Sequence, residues 1–349
     1  MIRPTHQQSS GRCTPLTAPS QLLERHQVTL STRHLLFAGD LQDDYCRQFS
    51  PHHTSVYTHY YHHARRLLPW LGSARVHCTL LPERSLTAVC DTVLYYWPKN
   101  KGEAQLHIFS LLAILPVTTD WWLVGEQRSG IRHVEPLLSP FGIVTLVDTA
   151  RRCRLYRFRC TLPPPFDLLN YWDRYGYQGL TIKTLPGIFS RDGLDAGSQL
   201  LLEQLPALQG RVLDLGCGAG VLGVVAKQRY PAIQLTLSDV QAPALAATQA
   251  TLAENQLSGS VVASEGFSDL QGLFDVIITN PPFHEGRQLS TQATAAWIRN
   301  ARDYLAPAGR LLLVANAFLP YATLLDQTFG SHQLLANQSR FKLYQVTKQ

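Results

Sequence analysis

VLDLGCGAG, residues 212–220, joins an apolar run to glycines at three alternate positions, Gly216, Gly218 and Gly220. A Cβ at such positions would clash with a ligand or demand a costly positive φ. The spacing therefore predicts a sharp turn at a strand end, with backbone able to approach a bound molecule. The pattern is GxGxG, not the GxGxxG of dinucleotide binders, and Asp214 lies in the strand before it. Working outward, RVLDLG, IQLTLSD, GSVVAS, FDVIIT and GRLLLVAN read as buried strands, while residues 219–229 and PALAATQATLAEN read as helices. This alternation predicts an α/β fold, a parallel sheet with helices on both faces. Ligands of such sheets bind at the carboxyl ends of the strands.

Two of those ends carry chemistry. Asp239 closes the second strand, 25 residues after Asp214, near where an acid accepts hydrogen bonds from ribose hydroxyls. With the glycine turn it points to a nucleoside-bearing cofactor, S-adenosylmethionine; an N-cap for the next helix is the competing reading of Asp239. The fourth strand ends in TNPPFHEG, residues 279–286. Pro281 and Pro282 donate no N–H and hold the preceding Asn280 extended, which makes the tip rigid. The side-chain oxygen of Asn280 and the main-chain oxygen of Pro281 can each accept one hydrogen of a planar NH2 group, and Phe283 can stack on the ring that bears it. A ring-conjugated amine is a poor nucleophile. Two acceptors orient it and stabilise the charge that develops as a methyl group arrives, which is electrostatic preorganisation without a general base. The departing thioether is neutral and requires neither acid nor metal.

The remaining composition sets limits. A chain of 349 residues, 45% apolar and 16% charged, suffices for two globular domains, with no apolar run near the roughly 20 residues of a membrane helix. The first twenty residues lack a signal peptide's apolar stretch and read as a disordered leader, which predicts a cytoplasmic protein. Seven scattered cysteines, none in a CxxC pair, predict reduced thiols and no zinc knuckle. Five histidines in PHHTSVYTHYYHHARR suggest a metal, but no acid or cysteine joins them, and a polar helix competes. Charge divides unevenly. Residues 1–170 hold 18 Lys and Arg against 12 Asp and Glu, whereas residues 171–349 hold 13 of each. Five arginines of the basic half fall in RRCRLYRFRC, residues 151–160, among aromatic side chains. They suit RNA contact, with Arg152, Arg154 and Arg157 as candidates, or a solvated edge strand protected by charge.

VLDLGCGAG, SDVQAPAL and TNPPFHEG, in that order and spacing, resemble the class I S-adenosylmethionine-dependent methyltransferases that act on planar amino groups. With LFAGDLQDD, YYWPKNKGEAQ, TLPGIFSRDGLDAGSQLLL and ANAFLPY, the chain resembles the ribosomal small-subunit guanine-N2 methyltransferases over all but the leader. The resemblance implies methylation of one guanine N2 in 16S rRNA, within an assembled 30S subunit, by a monomer that needs no metal or membrane. It implies that Asn280, Pro281 and Phe283 hold the guanine. Asp214, Gly216, Cys217, Gly218, Asp239, Asn280 and the Gly266–Phe267 turn would hold the cofactor, and residues 189–202 would close over it, unless Asp195 merely caps a helix. His284 and Glu285 read as substrate-loop residues, with His284 against RNA. A large-subunit rRNA guanine or a protein glutamine side chain is the alternative substrate, and an RNA-binding protein without catalysis the non-enzymatic one.

The first half echoes the second. LLFAGD (35–40) overlies VLDLGC (212–217), placing Phe37 over Asp214 and Gly39 over Gly216. CDTVLYYWP overlies FDVIITNPP, placing Tyr96 over Asn280 and Trp97 over Pro281; LPVTTDWWLVGE overlies LAPAGRLLLVAN, and RCRLY overlies RFKLY. Four matches in order predict an internal duplication, two tandem Rossmann-like methyltransferase domains of which the amino-terminal one is degenerate. The expected boundaries are residues 1–20 for the leader, 21–162 for the degenerate domain, 163–180 for a linker and 181–349 for the catalytic domain. Tyr96 and Trp97 would fill the lost pocket or offer a stacking surface. The first copy, lacking the cofactor's residues, would grip RNA and support its neighbour.

Overall fold

The computed structural model describes residues 15–88, 90–281, 288–338 and 340–349. Two compact units emerge. One holds the described residues up to Thr58, with Leu67–His77 and Pro82–Pro165; the other holds His59–Arg66, Cys78–Leu81 and Phe166–Gln349.

The first unit is built on β1 (Leu35–Gly39), β2 (Thr54–Tyr57), β3 (Val76–His77), β4 (Thr92–Tyr96), β5 (Asp120–Glu126), β6 (Gly142–Ala150) and β7 (Cys153–Cys160), in the order β3-β2-β1-β4-β5-β7-β6. A hairpin of β8 (Asp173–Tyr177) and β9 (Leu180–Thr184) follows. The second sheet comprises β10 (Arg211–Leu215), β11 (Gln234–Asp239), β12 (Ser260–Ala263), β13 (Phe274–Thr279), β14 (Leu305–Asn316), β15 (Gln333–Gln338) and β16 (Phe341–Thr347), in the order β12-β11-β10-β13-β14-β16-β15. The two orders match strand for strand. Each sheet departs from the expected all-parallel form at one strand, β7 or β16, which pairs antiparallel with both of its neighbours. A strand that reverses direction after its sequence neighbour needs no crossover helix.

Register is where duplication leaves its clearest mark. Phe37 pairs with Leu94 as Asp214 pairs with Ile278. Leu94 then pairs with Trp122 as Ile278 does with Leu312, and Val124 with Leu155 as Val314 does with Leu343. Every pair agrees with the overlay of the two halves. Even the acid that opens each fourth strand does the same job. Asp91 accepts from the His34 N–H at 3.3 Å and Asp275 from the Arg211 N–H at 2.7 Å, each tying its strand to the start of the central one.

In the second unit alternate residues enter two cores. Val212, Val276, Ile278 and Val314 face helices Ala196–Glu203, Val221–Arg229 and Ala242–Glu254. Leu213, Ile277, Leu311 and Leu313 face helices Gln288–Tyr304 and Tyr321–Phe329. Burial on both faces explains why these strands read as unbroken apolar runs.

The first unit keeps the frame and fills the site. Phe37 packs against Tyr45, Phe49 and Tyr96, with ring centroids 5.7 to 6.5 Å apart. The Tyr96 hydroxyl lies 2.8 Å from Ser20 Oγ, which bonds Asp43 in turn. Tyr96 and Trp97 are each 4% exposed, so they fill the space and present no stacking surface. Gly39 retains a positive φ of 90°, and a Cβ there would lie 2.1 Å from the Tyr96 carbonyl oxygen.

Several boundaries shift from expectation. Helix Ala18–Glu24 begins within the supposed leader, where Thr17 and Ser20 bond the Asp43 carboxylate. The expected linker is largely structured: β8 and β9 belong to the second unit, with Tyr175 and Tyr177 packed on its core. Thr181 N–H and Lys183 N–H donate to Asn255 Oδ1 and Thr251 Oγ1. Residues 151–160 are not an edge strand, since β7 lies between β5 and β6, and β6 forms the edge. His59, just before helix Tyr61–Leu71, and His63 within it are buried, so His63 lies on the inward side of that helix. Among the described residues no helix is long and apolar enough to cross a membrane.

Candidate active site

The carboxyl ends of β10, β11 and β13 converge at the centre of the second sheet. Asp214, one residue short of the end of β10, is fully buried. Its Oδ2 accepts from Gly223 N–H at 2.8 Å, while its Oδ1 is shut from solvent with no partner among the described residues. Burial raises the carboxyl to about 7, against the Gly223 N–H bond that lowers it, with Asp239 adding to the rise. An orphaned buried carboxylate oxygen is costly. A cationic group brought beside it, such as the ammonium of an amino-acid-bearing cofactor, would relieve that cost.

The raised value has a measurable consequence. The folded value lies above the unfolded one, so this group's contribution to stability is present at low pH and is lost as pH rises through about 7. Between about pH 5 and pH 8 we expect the ligand-free wild-type chain to lose about 5 °C more in Tm than Asp214→Asn. Equal slopes in thermal melts would remove Asp214 as the source.

The glycine turn follows. Gly216 N–H and Cys217 N–H donate to the Ser238 carbonyl at 2.8 and 2.9 Å, and Gly218 N–H donates to Asp239 Oδ2 at 2.9 Å. Gly216, at φ 73°, could not carry a side chain cheaply. The other Asp239 oxygen accepts from Gln241 N–H at 3.0 Å. Asp239 is therefore not the cap of helix Ala242–Glu254, whose N-cap is Gln241. It holds the glycine turn against the end of β11. Burial pushes its carboxyl upward, and the N–H groups of Gln241, Gly218 and Val240 pull it back. Thr248 bonds the Gly218 carbonyl at 2.8 Å and lies 3.4 Å from Cys217 Sγ, so the Cys217 side chain is committed inward. Nothing in AATQATLA marked Thr248 out except its polarity.

Just past the end of β12, Ser264 Oγ donates to the Gly266 carbonyl at 2.9 Å. Phe267 is buried and stacks on Tyr304 with centroids 4.6 Å apart, so this turn can offer a ligand backbone but not the phenyl ring. Trp297 lies behind both turns. A Cβ on Gly216 would come 3.1 Å from its ring, and one on Gly266 2.8 Å from its Nε1. The segment 59–61, also unforeseen, pairs antiparallel with residues 240–242, just after Asp239. Tyr61 N–H donates to the Val240 carbonyl at 2.7 Å, Ala242 N–H donates to the His59 carbonyl at 2.8 Å, and the Tyr61 hydroxyl reaches Asp269 at 2.9 Å.

Asn280 stands at the tip of β13. Its Nδ2 donates to Asp195 Oδ1 at 3.0 Å and to Ser198 Oγ at 2.9 Å. Its Oδ1 is buried and has no partner among the described residues. Thr279 Oγ1 donates to the Leu215 carbonyl at 2.8 Å, fixing the tip to the end of β10. Pro281 is buried, whereas Phe283, His284 and Glu285 lie outside the described residues. Asp195 both caps helix Ala196–Glu203 and holds Asn280.

The Methyltransferase small domain family matches residues 179–345, and its N-terminal companion, Methyltransferase small domain N-terminal, matches residues 20–175. Ribosomal RNA small subunit methyltransferase C of Salmonella typhi is 49% identical over 331 residues, 95% of this chain and 96% of its own. The protein of that name from Enterobacter sp. (strain 638) is 50% identical over the same length, again 95% of this chain and 96% of its own. The chain belongs to the ribosomal RNA small subunit methyltransferase C family. Its fold matches that of the T. thermophilus 16S rRNA N2 G1207 methyltransferase (RsmC), solved with AdoMet and guanosine, at a TM-score of 0.79 and 22% identity, covering 95% of this chain and 92% of that one. Membership in this methyltransferase C family accounts for both halves, since the two domain matches fall one on each sheet.

The five arginines of residues 151–160 divide by environment, with Arg159 exposed on β7. Arg151 and Arg152, at positive φ in the turn between β6 and β7, are exposed. Arg154 bonds the Tyr156 hydroxyl at 3.0 Å. Arg157 makes two 2.7 Å bonds to Asp120 and lies 5.7 Å over the Trp122 ring. Of the three arginines expected at RNA, Arg157 is thus occupied within the fold.

Proposed function

We propose that the chain transfers a methyl group from S-adenosylmethionine to the exocyclic N2 of one guanine of 16S rRNA, position 1207 as named for the T. thermophilus enzyme. The observation that carries this reading is the buried Oδ1 of Asn280 at the tip of β13, which has no partner among the described residues. An acceptor held ready and dry is what a planar NH2 group lacks in water. The Pro281 carbonyl is the second acceptor, and Phe283 is the stacking partner. Bound S-adenosylmethionine supplies an activated methyl on a sulfonium. Asp214 and the turn at Gly216, Cys217 and Gly218 hold its amino-acid end, Asp239 holds the ribose hydroxyls, and the backbone at Gly266 and Phe267 borders the adenine. Asn280 touches both sides, orienting the amine and stabilising its growing positive charge.

The substrate is the assembled 30S subunit, met by one copy of the chain in the cytoplasm, with His284 and the basic amino-terminal unit against RNA. Transfer from labelled cofactor to 30S subunits, naked 16S rRNA, large subunits and a protein glutamine, followed by mass-spectrometric mapping, tests this directly. Label at guanine 1207 of 30S subunits is expected. Label on protein, or on a large-subunit guanine, would replace the reading.

The arginines give a separate test. Arg152→Gln is expected to weaken RNA binding and to lower the slope of log affinity against log salt by about 1. Arg157→Ala breaks a partly buried ion pair, so a lower Tm with a nearly unchanged salt slope is expected. Identical salt slopes for wild type and Arg152→Gln would remove Arg152 from the RNA face.

A further inference from the structure

An asparagine amide is nearly symmetric in shape and wholly asymmetric in chemistry. Turning it over exchanges an acceptor for a donor at almost no steric cost. At a site meant for a substrate NH2 group the wrong flip sets donor against donor. Something must choose, and the bonds on the far side of Asn280 do so. Asp195 Oδ1 accepts from Gly197 N–H at 3.0 Å, from Ser198 N–H at 3.1 Å and from Asn280 Nδ2 at 3.0 Å. With two backbone donors fixed on that oxygen, its only role toward Asn280 is acceptor. Ser198 Oγ takes the second Nδ2 hydrogen at 2.9 Å. Both hydrogens of the amide are therefore used, and Oδ1 is the group left over. The opposite flip would press the amide oxygen on the Asp195 carboxylate and leave two N–H groups turned into a buried site.

We propose that Asp195 and Ser198 are positioning residues that lock the Asn280 amide in the single orientation presenting its oxygen to the substrate amine. The inference rests on the reading of Asn280 given above. It assigns the segment 189–202 a task on the substrate side of the reaction, beside the cofactor closure expected from sequence. Helix Ala196–Glu203 has its own reason to keep an acid at its N-cap, so capping and positioning must be separated experimentally.

Variants of the full chain separate them. Serine is a good N-cap but shorter than aspartate, so Asp195→Ser keeps the helix start and loses the reach to Asn280. Ser198→Ala removes the second acceptor from a helical position that favours alanine. The double variant Asp195→Ser, Ser198→Ala is expected to lower kcat on 30S subunits by about 10- to 100-fold, as for a misoriented reacting group. KM for subunits and Kd for S-adenosylhomocysteine should stay near wild type. Asp195→Asn keeps a carbonyl oxygen in the Oδ1 place and should restore most of the rate to the Ser198-containing chain. Asn280→Ala is measured alongside. If it is inactive while the double variant runs at the wild-type rate, the positioning role fails alone. If Asn280→Ala is itself active, the underlying reading fails. A loss of kcat matched by equal losses in Tm and cofactor affinity, or an Asp195→Asn variant as slow as Asp195→Ser, would overturn positioning in favour of helix capping or charge.

Discussion

Replacing Asn280 with alanine is expected to abolish methylation of 30S subunits and to leave cofactor affinity within a fewfold of wild type. The loss in kcat is expected to reach about 100- to 1000-fold, the scale for removing one preorganised polar group that meets developing charge. Three features of the site make the split sharp. Asn280 Oδ1 has no partner among the described residues, so its removal breaks none of their bonds on the substrate side. On the other side, Asp195 keeps its bonds to Gly197 and Ser198 N–H, so helix Ala196–Glu203 stays capped. The glycine turn and Asp239 are held by each other and by Thr248, not by Asn280. Steady-state rates with calorimetric titration of S-adenosylhomocysteine check both halves. More than a few per cent of wild-type activity would remove Asn280 from the chemistry.

The same residues show which parts of the molecule sequence can reveal. Strand ends were legible because a buried parallel strand announces itself as an apolar run, and turn chemistry marks where it stops. The duplication was legible for the same reason. Phe37 and Asp214 could be overlaid from text alone, and the strand registers agree pair by pair. Side-chain partnerships between distant elements were not legible. Asp195 and Asn280 stand 85 residues apart, and nothing local to either names the other. Arg157 looked like a free cation because its partner Asp120 lies on the neighbouring strand, 37 residues earlier. Aromatic residues mislead in one consistent way. Phe267, Tyr96 and Trp97 stand at the ends of strands where a ligand would be expected, yet each turns into the core. A strand end fixes where the backbone is, and packing behind it decides where the side chain goes.

Asp239→Ala should give the opposite signature to Asn280→Ala, a collapse of cofactor affinity with RNA binding intact. In the ligand-free chain both carboxylate oxygens are used, one by Gly218 N–H and one by Gln241 N–H. Each oxygen has a second lone pair, and two ribose hydroxyls can donate to these without displacing the bonds already made. Hydrogen bonds to a charged acceptor contribute about 1.5 to 3 kcal/mol each. Losing two of them predicts an affinity drop of about 100-fold or more. The acid also pins the turn that must approach the cofactor, so alanine at 239 frees Gly218 as well as removing the acceptor. Asp239→Asn separates these contributions. Its one oxygen can still accept from Gly218 or from Gln241, but its NH2 group faces the other N–H donor to donor, so a partial loss is expected. Affinity for 30S subunits, measured without cofactor, should match wild type in both variants, because the half-buried Asp239 carboxylate is turned to the N–H groups of Gly218 and Gln241 at the cofactor turn. If Asp239→Ala binds S-adenosylhomocysteine as tightly as the wild-type chain, the acid is a brace for the glycine turn and the ribose must be held elsewhere.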